Sequence, residues 1–174
     1  MSEAILVGDE LIDHCARCGA RTVGLVDEAL VGDRIVWSVS LRCDGCDNVI
    51  EADYSGRIYP IERAALIARA GLVRLCVAPE AAQGLRLPLL TLFRRQGMTY
   101  AEAAAAHAAL IGEGVVGTPA EMQLLANRLA VLGVAGTRTV RAAVNPNTAA
   151  AGPRTAPRSC LDHGCHPNHG PRFG

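Results

Sequence analysis

Cys15-Ala-Arg-Cys18 and Cys43-Asp-Gly-Cys46 decide how the first third of this chain folds. Each is a C-x-x-C pair, and 24 residues separate them. A C-x-x-C turn can present two thiolates to one ion, because backbone N–H groups of the turn point at the sulfurs. Two such turns supply the four soft donors that tetrahedral zinc prefers, at about 2.3 Å from each sulfur. Gly19 follows the first pair and Gly45 lies inside the second, where tight turns favour a residue without a side chain. Between the pairs, residues 34–41 (RIVWSVSL) are β-branched and aromatic with partial alternation. Residues 22–26 and 48–52 are weaker strand candidates, and Val31-Gly-Asp-Arg34 reads as a turn. The expectation is a hairpin that brings the two C-x-x-C turns together. Cys15, Cys18, Cys43 and Cys46 would then hold one structural Zn2+. Four sulfurs leave no open coordination position, so the ion is expected to hold the fold and not to catalyse. A thioredoxin-like redox pair needs a βαβ context, which these residues lack. His14, beside Cys15, is expected to be a surface residue.

This layout resembles a zinc ribbon, assigned to residues 1–58. A β unit of ~50 residues is marginal without its metal. Residues 1–60 hold eleven acidic and five basic side chains. Four thiolates and one divalent ion add further negative charge. Affinity for phosphate depends on basic side chains neutralising it, so nucleic acid is not the partner expected of the ribbon. A folding or protein-docking role is expected instead.

The whole chain has 174 residues, and half of them are apolar. Seventeen basic residues balance seventeen acidic ones. That excludes a strongly basic nucleic-acid binder or an acidic disordered protein as a description of the entire chain. Every basic residue is Arg, so Schiff-base chemistry and a Walker-type phosphate loop are excluded for want of a Lys. No apolar run approaches the ~20 residues needed to span a bilayer. The first residues carry Glu3, Asp9, Glu10 and Asp13 where a secretory signal has cations. The expected location is the cytoplasm of a bacterial-type cell, with no membrane partner. In that reducing compartment the seven Cys read first as metal ligands or plain thiols.

After residue 60 the pattern becomes helical and the charge turns basic, with nine Arg against five acids over residues 61–144. Residues 59–71 read as a linker helix ending at Gly71. A strand (LVRLCV, residues 72–77), a loop at 79–84 and a helix over 87–96 follow. A second, Ala-rich helix covers 99–110, then comes a connection containing Val115 and Val116. Thr118-Pro-Ala-Glu121 is a capping box with Pro at the first helical position. It opens a helix to Leu132, and a last strand is expected within 134–143. That last helix is apolar around much of its circumference. It is expected to pack against the ribbon, the linker helix or another chain.

Gly97-Met-Thr-Tyr-Ala-Glu-Ala103 and Gly117-Thr-Pro-Ala-Glu121, the latter followed by Leu125, Leu129 and Gly133, appear in an informative order. Residues 72–144 are thereby similar to the C-terminal domain of the bacterial ribosomal stalk protein. The resemblance implies an α+β domain of three helices on a three-stranded sheet, so that the whole chain is α+β. It also implies recruitment of translational GTPases or the ribosome through the first helices of the domain, here at Phe93, Arg94 and Arg95. The stalk family's dimerising N-terminal helices are replaced by the ribbon, so the chain reads as one that borrowed the domain.

Residues 145–174 carry Pro at 146, 153, 157, 167 and 171, and are expected to be disordered. Cys160, His163, Cys165, His166 and His169 crowd into this tail. They suggest a second, labile metal site or a processed peptide preceded by a folded leader. Three other signals are discounted. Gly112-Glu-Gly-Val-Val-Gly117 follows a helix, whereas a dinucleotide loop follows a strand. Cys76 is expected in the core, and His107 is expected to be a surface or packed residue of its helix. The functional expectation is a non-enzymatic zinc-binding interaction module associated with translation. The alternatives are a zinc-ribbon regulator of transcription or nucleic acid, and a precursor or metal-handling protein acting through its tail.

Overall fold

The computed structural model describes residues 5–56 and 58–142. Short turns at Gly8-Asp9 and Gly32-Asp33 fold the first part into an antiparallel meander. Its strands are β1 (Ile5–Val7), β2 (Glu10–His14), β3 (Arg21–Val31), β4 (Arg34–Cys43) and β5 (Val49–Ser55), in that order across one sheet. Register pairs Leu11 with Gly24, Gly24 with Leu41, and Leu41 with Ile50. With a side-chain period of two, these positions share one face. Leu11, Val26, Trp37 and Leu41 are buried there beneath Ala65 and Leu66 of α1 (Pro60–Ala70). Pro60 opens that helix, and Gly71 closes it with φ of 74° and a bond from its N–H to the Ile67 carbonyl.

The second sheet has β6 (Val73–Cys76) at its centre, antiparallel to β7 (Val115–Gly117) on one side and β8 (Arg138–Arg141) on the other. A 3-10 turn (Pro79–Ala82), α2 (Arg86–Arg95), α3 (Tyr100–Ile111) and α4 (Pro119–Val131) complete the fold. Leu75, Leu89, Phe93, Leu110, Leu125 and Leu129 form the centre of this core. Each buried Leu contributes about 1.5–3 kcal/mol over an exposed one. Among the described residues the molecule is mixed α and β, with four helices and two antiparallel sheets.

Several expectations change. Phe93 is 1% exposed, a core residue and not a partner contact, because it lies on the α2 face that meets the second core. Arg94 and Arg95 beside it are exposed. Cys76 follows Leu75, which is fully buried, so strand alternation turns Cys76 to the other face, where it is half-buried opposite Arg138. His107, half-buried on α3, stays within its expectation. The segment read as a connection at Val115 and Val116 is strand β7, and the last strand shrinks to Arg138–Arg141. The β1–β2 hairpin was not foreseen. The tail group Cys160, His163, Cys165, His166 and His169 lies outside the described residues, as does all of 145–174.

The apolar α4 packs within the chain. It contacts β3 and β4 of the first sheet and β6 and β7 of the second. Ala120, Met122, Leu125 and Leu129 are buried, and Val131 at its end stays exposed.

Candidate metal centre

The long β3–β4 hairpin positions the centre. Val31 pairs with Arg34 at its tip and Thr22 with Cys43 at its base. Ten register pairs thus carry the turn after β2 and the turn after β4 to the same end of the sheet. Both turns have the same construction. The Cys15 N–H donates to the Ala20 carbonyl at 2.8 Å, and the Cys43 N–H donates to the Asn48 carbonyl at 2.9 Å. One residue after each second cysteine the chain enters the left-handed region, Gly19 at φ 73° and Asp47 at φ 53°. Gly45 is confined by packing, since a Cβ there would lie 2.6 Å from the Ala20 Cβ and 3.4 Å from the Cys18 sulfur.

The four Sγ atoms of Cys15, Cys18, Cys43 and Cys46 all lie within 4.8 Å of one another. Cys18 and Cys43 are 3.4 Å apart, Cys43 and Cys46 3.6 Å, and Cys15 and Cys46 3.8 Å. A tetrahedron with metal–sulfur bonds of about 2.3 Å has edges of about 3.8 Å, so these residues fit a four-thiolate ion. Cys15 and Cys43 are buried, Cys46 is half-buried and Cys18 is exposed. The centre therefore has a dry side against the sheet and a wet side outward. The Gly45 N–H donates to the Cys43 sulfur at 3.3 Å, and the Asn48 side-chain amide lies 4.0 Å from the Cys15 sulfur. No other group of three or more His, Cys, Asp or Glu converges in this way among the described residues. His14 stays exposed beside Cys15 and outside the cluster.

The thiols differ in acidity. Backbone N–H groups of Arg17 and Cys18 stabilise the Cys15 thiolate and bring its pKa down to about 6. The Ala20 N–H favours the Cys18 thiolate too, but the crowding Cys43 and Cys46 side chains prevail and push its pKa up to about 12. One sulfur ionises easily and another resists, as expected where like charges would crowd. Full ionisation of the set needs a cation among the sulfurs.

A second set of polar contacts joins the two sheets. The Glu28 carboxylate of β3 accepts from the Thr118 hydroxyl at 2.8 Å and from the Ala120 N–H at 3.1 Å. Arg63 of α1 donates from both terminal guanidinium nitrogens to Glu121 of α4, at 2.6 and 3.0 Å. Arg128 of α4 donates to the Asp33 carbonyl, while within the first part Arg69 of α1 pairs with Asp27 of β3 at 2.9 Å. Sequence reasoning missed Asp47, Asn48 and this junction. Asp47 and Asn48 could have been found by aligning the second turn on the first. Glu28 and Thr118 are 90 positions apart and left no local signal.

Among the described residues no helix is long and apolar enough to cross a membrane. The chain matches no family model, and comparison with curated proteins and with solved structures returned no match.

Proposed function

We propose that the protein is a zinc-stabilised, non-catalytic interaction module. The observation that carries this reading is the convergence of four sulfurs, from two turns far apart in sequence, on one point. An all-thiolate tetrahedral set suits zinc or iron among biological metals, and zinc is the reading adopted. When bound, the ion supplies compensating charge and a cross-link. Four sulfurs complete its coordination, which leaves no position for a substrate. The chain's own part is to hold the sulfurs: the paired turns set their spacing, and the β3–β4 hairpin sets their approach.

Association with translation rests on the order of elements in residues 72–144 and on their likeness to the ribosomal stalk domain. The exposed Arg94 and Arg95 at the end of α2 would be its contact points. The test is elemental analysis of the full chain with affinity capture and ribosome pelleting from its native cells. One zinc per chain with a reproducible protein partner supports the module. Iron in place of zinc removes the metal assignment. Absence from the ribosome pellet, with no translational GTPase captured, removes the translational part. Two ions per chain would bring the tail group of Cys160, His163, Cys165, His166 and His169 into the reading.

A further inference from the structure

The chain has six aromatic residues, and three of them meet at one edge of the first sheet. Tyr54 of β5 lies opposite Trp37 of β4, and their rings stack with centroids 4.4 Å apart. Tyr59, just before α1, meets Trp37 edge-on at 6.2 Å. Trp37 is 3% exposed, whereas Tyr54 and Tyr59 are 44% and 62% exposed. A chain scarce in aromatic residues thus leaves two rings at the surface, one stacked on its sole tryptophan and one edge-on to it.

The same edge is open along its backbone. β5 ends the sheet and pairs only with β4, so its other side has no strand neighbour among the described residues. Such a row of unpaired donors and acceptors is a template for an added strand. Alternation places Ile50, Ala52 and Tyr54 on the aromatic side and Val49, Glu51 and Asp53 on the other. Glu51 and Asp53 are exposed, and neither forms an ion pair with a described residue. Two copies of this edge would set carboxylates against carboxylates, which is unfavourable in cross-strand positions. A strand of opposite charge meets no such penalty.

We propose that the free side of β5 accepts an extended basic segment of a partner protein as a sixth strand. Glu51 and Asp53 meet its arginine or lysine side chains, and Tyr54 and Tyr59 cover the residues that alternate with them. This assignment rests on the interaction-module reading and supplies its docking surface.

Trp37 is the only tryptophan, so its fluorescence reports on this edge directly. The full chain is titrated with an acetylated, amidated peptide of alternating Arg and Val, matching the seven residues of β5. Controls are a Glu/Val peptide and an Arg/Val peptide N-methylated at alternate residues. The expected result is a saturable, salt-sensitive change with the basic peptide alone. A Glu51→Arg, Asp53→Arg double variant, with unchanged metal content as the check on folding, should bind it about tenfold more weakly. The proposal is overturned if neither unmodified peptide binds, if the acidic one binds equally, or if N-methylation makes no difference. A Trp37 signal that follows protein concentration and ignores peptide would place a second copy on the edge and also overturn it. If cellular partners are retained equally by the double variant, the edge assignment fails while the module reading stands.

Discussion

Asp47 occupies, at φ 53°, the position that Gly19 fills at φ 73° in the other turn. Aspartate tolerates this left-handed conformation better than most side chains, and glycine has no cost there. Gly19→Ala should therefore destabilise by about 1 kcal/mol, while Asp47→Gly should change stability by less than about 0.5 kcal/mol. Urea unfolding of the metal-loaded chain measures both. Gly19 and Gly45 were legible because glycine beside a cysteine pair is a visible mark. Asp47 was not, because its role is carried by backbone geometry that several residue types can adopt. The cysteines also set a pH dependence. Cys15, lowered to about 6, is ionised above that value and must lose a proton to bind metal only below it. Cys18, raised to about 12, must lose a proton throughout the usual range. Metal affinity should weaken as pH falls and weaken more steeply below about pH 6, measured by competition with a chelator of known proton affinity.

Helix α4 shows what an element can reveal before its neighbours are known. Its capping box was legible, and Thr118 and Glu121 do exchange backbone and side-chain bonds. The helix ends were legible to within a residue or two, because Pro119 and the glycines that punctuate these segments act locally. What α4 rests on was not. Glu28 reaches its first turn from the first sheet, on a strand that runs beyond the expected 22–26 as far as Val31. The short strands β1 and β7 have three residues each, too few for a period of two to show. Burial raises the Glu28 pKa against the lowering effect of the Thr118 and Ala120 bonds. A carboxyl with a higher pKa in the fold than in the unfolded chain stabilises below its unfolded value. That contribution is lost as pH rises through its folded value. Glu28→Gln should remove this loss and flatten the stability profile on the acid side. Glu28→Ala should cost about 1–2 kcal/mol at neutral pH, since it leaves the Ala120 N–H and the Thr118 hydroxyl without their acceptor. Thermal unfolding across pH separates the two variants.

Over the whole molecule, net charge does not say where the charged side chains lie, and topology does. In the acidic first part Glu28 is turned into the junction with α4 and the exposed Asp27 is paired with Arg69, so its charge is not a uniform surface field. Arg63 and Glu121 hold that junction from α1 to α4, with side-chain exposures of 16% and 30%. Removing the guanidinium in Arg63→Ala should cost about 1–2 kcal/mol and reduce cooperativity between the two sheets, read from unfolding followed at Trp37 and by far-ultraviolet dichroism together. The cysteine spacing told where the chain must close on itself, but not how the closed sheet docks, because docking depends on pairs distant in sequence. The most direct test is native mass spectrometry of the full chain with the near-ultraviolet signal of Trp37 before and after chelation. One zinc per chain is expected, with none in Cys43→Ser, and chelation should collapse the Trp37 signal and lower the melting temperature. A chain that carries no metal as purified, and keeps its spectrum and melting temperature in chelator, would refute the four-sulfur centre.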